Sequence, residues 1–361
     1  MTASMPDAPG PRDLGRDALD RIFGEMQIDD GWAIREERAF TWWGDWIRQR
    51  VSAGEAVRAG TTTLWHVRAR TPALRDQPDE TATYVLVSLA NSWSSLSAYS
   101  YDPADGTVSA RCGAFIHETV APWLGRYLGV AVALQVSTAW LQVPQIADGR
   151  ALDDAPDHPI AGRRRDPDDM LNVAWSWPRG PVPFTPPVLR QVAAVLSTDG
   201  RAVAFDEEPP GLRALLPLGD EQAATWGLVT VEHPVLGRGA LVSLVMPRRM
   251  GRLRAMMVAN GLNLAEAADW GGENRPHALG AWTADDVLVH SAFFPSILFS
   301  RIEGDNVRLA IENLLTWGVV RARFAAERLP ELEAAARARH PDDEPVEPVV
   351  DEEAAAAPED G

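Results

Sequence analysis

The residues best suited to chemistry lie in one stretch of the C-terminal half. Glu273, His277, Asp285, Asp286 and His290 place carboxylates and imidazoles close together in the sequence. Such groups act as general acids, general bases or metal ligands when a fold gathers them in one cleft. One hypothesis is therefore an enzyme with an uncharacterised Glu/His/Asp site, which requires these five side chains to converge.

The local context of the same residues favours a structural role. Asp285 and Asp286 lie between two strand-like segments, where aspartate supplies side-chain hydrogen bonds to a turn. A turn does not provide the burial that shifts the pKa of one carboxylate in a catalytic pair. His290 follows an alternating strand pattern, which is typical of a sheet position. A proline separates Glu273 from His277 and opposes a helical pairing of the two.

The known sequence signatures of catalysis are missing from the chain. It contains neither a HExxH metal motif nor a GxSxG nucleophile motif, and it has no lysine for a Walker-type phosphate loop. We therefore expect no enzymatic activity, no metal and no cofactor.

Aromatic side chains are the most conspicuous remaining feature. The chain has 14 tryptophans, and several of them fall in a predicted helix at 36–54. This helix would carry aromatic residues on more than one side, so part of its surface must face another element or a partner. We expect five tryptophans to contact a bound polypeptide, namely Trp42, Trp43, Trp46, Trp65 and Trp282.

Composition limits the possible partners and the compartment. The formal net charge is −17, whereas binding to nucleic acid needs a positive surface, so we expect no nucleic-acid partner. We find no apolar run of about 18 residues and no secretory signal, so we expect no membrane partner. A single cysteine cannot form an internal disulfide. These features predict a cytoplasmic protein with a protein or peptide client.

Changes in composition divide the chain into regions. The ends, 1–15 and the acidic 333–361, combine proline with carboxylates, which predicts disorder. A polar stretch at 144–182 predicts a linker. The remaining regions, 16–143 and 183–332, predict two domains, because one core rarely grows beyond about 250 residues.

Both domains show the same order of predicted elements. Each begins with a helix, at 36–54 and at 183–200, continues with strands and closes with a long helix. This order predicts an α+β fold of two tandem units, each an antiparallel sheet with helices packed on it. The other predicted elements are strands at 61–70, 83–92, 95–102, 107–116, 202–207, 224–233, 239–247, 277–286 and 287–294, and helices at 119–142, 252–270 and 305–329.

The second domain resembles a known superfamily over residues 223–329. The likeness is carried by "LN" at 262–263, "GAW" at 280–282, the strand entering "FFPSILF" at 293–299, and the closing helix with "RARF" at 321–324. These elements are similar to those of the YbjN-like and type III secretion chaperone-like (CesT-type) superfamily, above all its tandem actinobacterial forms. The resemblance implies a helix-flanked antiparallel sheet that binds peptide segments, with neither cofactor nor catalytic residues.

Three hypotheses for function follow. We favour a non-catalytic chaperone or adaptor that captures a client segment on apolar sheet-and-helix surface, with the tandem replacing a dimer. The first alternative is the enzyme described above. The second is an interaction protein in which the acidic tail is the working part.

Overall fold

The computed structural model shows an α+β fold with two antiparallel sheets, as the sequence predicts. The structure describes residues 12–147, 149–153, 159, 166–177, 179–198, 200–219, 222–268, 274–341 and 343.

The N-terminal half of the chain builds the first sheet and its helices. The elements are α1 (Leu14–Glu25), β1 (Ala33–Glu36), β2 (Ala39–Trp43), β3 (Arg48–Ala53), β4 (Val57–Ala59), β5 (Thr62–Leu74), α2 (Glu80–Ser92), β6 (Ala98–Asp102), β7 (Thr107–Ile116) and α3 (Ala121–Ala147). A short helix, α4 (Val173–Ser176), follows. The main strands lie in the order β1-β2-β3-β5-β7-β6.

The C-terminal half builds the second sheet in the same way. The elements are α5 (Pro186–Thr198), β8 (Val203–Glu207), β9 (Pro210–Gly219), β10 (Gln222–His233), β11 (Gly237–Arg249), α6 (Arg252–Ala267), β12 (Ala281–Ala284), β13 (Val287–Pro295) and α7 (Asp305–Arg339). The strands lie in the order β8-β9-β10-β11-β13-β12, which repeats the order of the first sheet. We call the two halves the first and the second repeat; β4 has no counterpart in the described part of the second.

The repeats meet at a crossing with approximate twofold symmetry. Gly113 N donates a hydrogen bond to Ala278 O over 3.0 Å, and Phe293 N donates one to Ser95 O over 3.1 Å. Strand registers show that Gly113 and Phe293 hold equivalent places on β7 and β13. Ser95 and Ala278 likewise hold equivalent places before β6 and β12. Each repeat therefore gives the other the same donor and the same acceptor, as the subunits of a homodimer do.

The helices α2 and α6 reinforce the crossing. Asn260 on α6 accepts from Tyr101 N at 2.7 Å and donates to Tyr101 O at 2.8 Å. At the equivalent place on α2, Ser88 donates to Ala284 O over 3.2 Å. The two repeats also share one apolar core. The chain is thus built as an internal pseudo-dimer.

The long helix α3 lies in the core of the first repeat. It is the one described helix whose length and composition would suit a membrane span, and 56% of its apolar window is buried within the protein. Leu128, Val132 and Val136 are fully buried. This burial accounts for the apolar character of α3 as a core helix.

The predicted helix at 36–54 is wrong, because this segment forms the hairpin of β2 and β3. Gly44 N donates to Ile47 O over 3.1 Å, which closes the turn between the strands. Phe40 and Trp42 then alternate with Thr41 and point into the core, as strand geometry requires. The apolar residues at positions 40, 43, 47 and 51 are spaced by three and four residues, which also suits a helix, so the apolar pattern alone misled the prediction.

The predicted strand at 83–92 is also wrong, because this segment lies in helix α2. Valine and tyrosine in it favour a strand. The residue that favours the helix lies before the apolar run: Asp79 caps the helix, because its side chain accepts a hydrogen bond from Ala82 N at 2.9 Å. The predicted segments did not include β9.

The edges of the ordered regions also differ from the predicted ones. Helix α1 begins inside the predicted disordered segment 1–15, and α7 continues to Arg339 inside 333–361. Part of the predicted linker 144–182 is packed, since Leu171 is fully buried and its carbonyl accepts from Ser137. Residues 1–11 and 344–361 lie outside the described residues.

Candidate functional site

Four of the five tryptophans expected to contact a partner are core residues. Trp42, Trp43, Trp65 and Trp282 are buried, and Trp46 is half-buried against the same core. They cannot form an open binding surface, because strand alternation places most of them in the core, and Trp43 on the other face of β2 is covered by the chain after α3. The structure therefore does not support a contact surface made of these tryptophans.

Trp282 shows how a tryptophan is fixed in this core. Its indole N–H donates to Glu266 over 2.8 Å, and Arg321 donates to the same carboxylate over 2.9 Å. Glu266 and Arg321 are themselves buried. The group is a satisfied buried network, which supports a structural role for Trp282.

The structure does not bring the described residues of the enzyme hypothesis together in one cleft. Asp285 and Asp286 lie exposed in the β12–β13 turn, where Arg252 and Arg249 lie 2.6 and 3.6 Å from them. His290 lies buried within the sheet. Glu273 lies outside the described residues.

The two histidines of that hypothesis serve the fold. His277 Nδ1 accepts from Phe115 N at 3.2 Å, across the crossing of the repeats. Burial, aided by the positive charge of Arg321, lowers the pKa of His277 to about 3 and moves the pKa of His290 well below its usual range. Both imidazoles are therefore neutral near pH 7. Among the described residues, no group of three His, Cys, Asp or Glu side chains could hold a metal ion.

An open groove lies at the outer edge of the second sheet. Its cavity measures about 590 Å³ and is bordered by strands β8, β9 and β10 together with the end of α5. We call it the β8 groove; its lining residues are Ser197, Arg201, Ala202, Val203, Ala204, Arg213, Leu215 and Thr225. Strand β8 is the last strand in this sheet, and no described strand pairs with its outer edge.

The floor of the β8 groove is a row of side chains on one sheet face. Ala204 lies opposite Arg213, and Leu215 lies opposite Thr225 in the strand register. Leu215 is 57% exposed, an unusual state for a large apolar side chain inside a groove. Arg213 is held by Asp206 at 3.1 Å. The groove combines an apolar centre with a charged border.

The position equivalent to Leu215 is covered in the first repeat. Register across the sheets makes Trp43 the counterpart of Leu215, yet Trp43 is only 1% exposed. The chain after α3 lies against the neighbours of Trp43: Asp153 is 3.8 Å from Arg48, and Asp168 N donates to Gly44 O at 2.8 Å. Leu215 in the β8 groove is therefore exposed, whereas its counterpart Trp43 is covered.

The alternation of β9 was the sequence signal for this site. In "PGLRALLPLG", Leu212, Ala214 and Leu216 point inward, while Arg213 and Leu215 point outward. This alternation predicts a strand, but it does not reveal that Leu215 remains exposed.

No protein-family model, curated protein or solved structure matches the chain. The functional interpretation of the site therefore depends on its geometry.

Proposed function

We propose that this protein is a non-catalytic chaperone or adaptor that captures an extended polypeptide segment in the β8 groove. The observation that carries the proposal is the exposed Leu215 in an open groove beside an edge strand that no described strand pairs with. An edge strand presents unpaired backbone donors and acceptors, which a client segment satisfies by adding as a further strand.

Backbone contacts and side-chain contacts to the client have different effects. Backbone hydrogen bonds to β8 supply affinity for any extended segment, while alternate side chains of the client face the groove. An apolar client side chain packs on Leu215. Arg201 at the border favours a nearby acidic client residue.

Two further considerations support this proposal. Each repeat is an antiparallel sheet with helices packed on it, and the resemblance of residues 223–329 to the YbjN-like and CesT-type chaperones favours a peptide-binding role for such a sheet. The exposed turn position of Asp285 and Asp286 and the buried, neutral imidazole of His290 also favour a binding role over the enzyme hypothesis. We propose the cytoplasm as the compartment.

Site-specific crosslinking tests the groove directly. A photo-crosslinking amino acid at Leu215 should capture peptides from a random library, whereas the same group at Leu309, an exposed leucine of α7, should not. Leu215→Asp should weaken the selected peptides at least about tenfold, because a charge is forced against their apolar side chains. Leu309→Asp is the matched control and should leave binding unchanged. Equal capture at both positions would contradict the proposal.

Hydrogen exchange adds an independent measurement. A bound peptide should slow amide exchange in β8 and leave the edge strand β1 of the first sheet unchanged. Truncation after His340 separates the client from the chain's own acidic tail. If binding appears only after truncation, the tail is the occupant and the client-capture proposal fails.

A further inference from the structure

Four arginines lie together on the outer face of the first sheet. Arg50 is directly opposite Arg70, and Arg70 is directly opposite Arg111, so three neighbouring strands carry one row of guanidinium groups. Arg68 lies two residues along β5 on the same face. Adjacent strands are about 4.8 Å apart, so the row spans about 10 Å. Like charges directly opposite each other in a sheet are destabilising.

The fold does not require this row. Strand registers in the second repeat place Gly227, Ser243 and Ser291 at the positions of Arg50, Arg70 and Arg111. The same topology is therefore built with small uncharged residues. A basic row in a chain of net charge −17 needs a cause other than the stability of the sheet.

Acidic and hydroxyl partners occupy two of the three row positions. Arg50 forms a two-pronged pair with Glu36, with one contact of 2.8 Å. Arg70 donates to Ser109 at 3.0 Å and lies 3.8 Å from Asp105. These contacts offset part of the repulsion within the row.

Arg111 at the end of the row is different. Its Nε is buried and has no hydrogen-bond partner among the described residues. Burial, together with the charge of Arg70, lowers the pKa of Arg111 to about 10, so the group remains protonated near pH 7. A buried charged donor with an unused N–H is costly unless an acceptor satisfies it.

The row forms the floor of a cavity of about 330 Å³. Ser52 and Cys112 of the first sheet also line it, and Ala267 and Ala268 at the end of α6 close one side. The cavity thus lies between the repeats and is large enough for a small ligand.

We propose that this cavity binds a small anion that carries at least two phosphate groups, held by Arg111 and the row beside it. Guanidinium groups bind phosphate oxygens through paired hydrogen bonds, and adjacent groups along the row match a diphosphate better than a single charge. The cavity lies between the first sheet and the end of α6 and is separate from the β8 groove, so this proposal does not rest on the proposed function.

Pyrophosphate and inorganic phosphate are suitable probes for calorimetry on the full chain. Pyrophosphate should bind more tightly than phosphate, and its affinity should fall as salt is raised. Arg111→Gln and Arg70→Gln should each weaken pyrophosphate binding roughly tenfold or more, since each removes a charged donor. Arg238→Gln, at an exposed arginine of the second repeat, is the control and should not change it.

Thermal unfolding shows whether the variants fold. Without ligand, Arg111→Gln should unfold at the same or a higher temperature than the natural chain, because repulsion in the row is relieved. At one pyrophosphate concentration, the unfolding temperature should rise more for the natural chain than for Arg111→Gln. Equal pyrophosphate affinity in the natural chain and Arg111→Gln overturns the proposal.

The chain's own carboxylates are the competing source of anions. Asp269 and Glu273 follow Ala268 in the sequence and lie outside the described residues. The double variant Asp269→Asn, Glu273→Gln should bind pyrophosphate as the natural chain does. Binding that appears only in this double variant overturns the proposal and assigns the cavity to these carboxylates.

Discussion

Asn91 and Asn263 make the same clamp in the two repeats. The Asn91 side chain accepts from Tyr99 N at 2.6 Å and donates to Tyr99 O at 2.9 Å. Asn263 accepts from Trp282 N at 2.8 Å and donates to Trp282 O at 2.9 Å. In each repeat one amide therefore ties a helix to the following edge strand, whose outer side pairs with no other described strand.

Asn263→Ala should lower the free energy of unfolding by about 2–4 kcal/mol. The change leaves the buried N–H and C=O of Trp282 without their partners, and each orphaned group costs roughly 1–3 kcal/mol. Urea denaturation followed by tryptophan fluorescence measures the loss. Asn306→Ala, at an exposed asparagine of α7, is the matched control and should change stability by less than about 0.5 kcal/mol. Equal midpoints for the two variants would contradict the clamp.

The sequence predicted well those elements whose local signals agree with the tertiary fold. Strand β7 has the predicted bounds 107–116, and the turn at Asp285 and Asp286 lies between β12 and β13 as expected. The prediction failed where the apolar residues of a short segment fitted both the helical and the strand period. The segment around Gly44 has a helical spacing of apolar residues, but the turn at Gly44 makes it a hairpin.

The site was less accessible to sequence reasoning than the fold. Tryptophan content correctly marked large apolar groups, but most of those named are core residues. Exposure of Leu215 depends on which chain segments fail to cover it, and that is a property of the whole fold. The arginine row likewise depends on the pairing of three strands that are distant in sequence.

Glu266→Gln should destabilise the protein by about 3–5 kcal/mol, because it leaves the buried charge of Arg321 without its partner. The double variant Glu266→Met, Arg321→Met should recover most of this loss, since no isolated charge remains. Thermal and urea unfolding of Glu266→Met, Arg321→Met and the double variant give the coupling energy.

The exposed pair of Arg252 and Asp285 is the control for that cycle. Its atoms are 2.6 Å apart, but both side chains are largely in solvent. Asp285→Asn should therefore cost less than about 1 kcal/mol. A loss as large as that of Glu266→Gln would show that burial does not set the strength of these pairs.

Acid should destabilise the protein partly through His290. Burial, then the charge of Arg321, holds the pKa of His290 well below 6.5, so the folded state keeps this imidazole neutral. The unfolded chain takes up a proton below about pH 6.5, and stability then falls as the pH falls, by up to about 1.4 kcal/mol per pH unit for one histidine. His290→Gln should flatten this fall between pH 6.5 and 5, as measured by urea unfolding. Parallel curves for the two proteins would exclude His290 as a contributor.

The second repeat expressed alone should form a homodimer. Its helix α6 would present Asn260 without Tyr101, but the backbone of Ala284 in a second copy holds the equivalent place. Ala278 of the copy can likewise accept from Phe293 N, because it is the counterpart of Ser95. Light scattering of residues 179–343 should give twice the monomer mass, while the full chain, whose crossing is filled internally, should remain a monomer. Asn260→Leu should weaken the dimer by leaving those backbone groups unpaired. A stable folded monomer of residues 179–343 would show that the crossing depends on contacts specific to the first repeat, and would contradict its description as an internal pseudo-dimer.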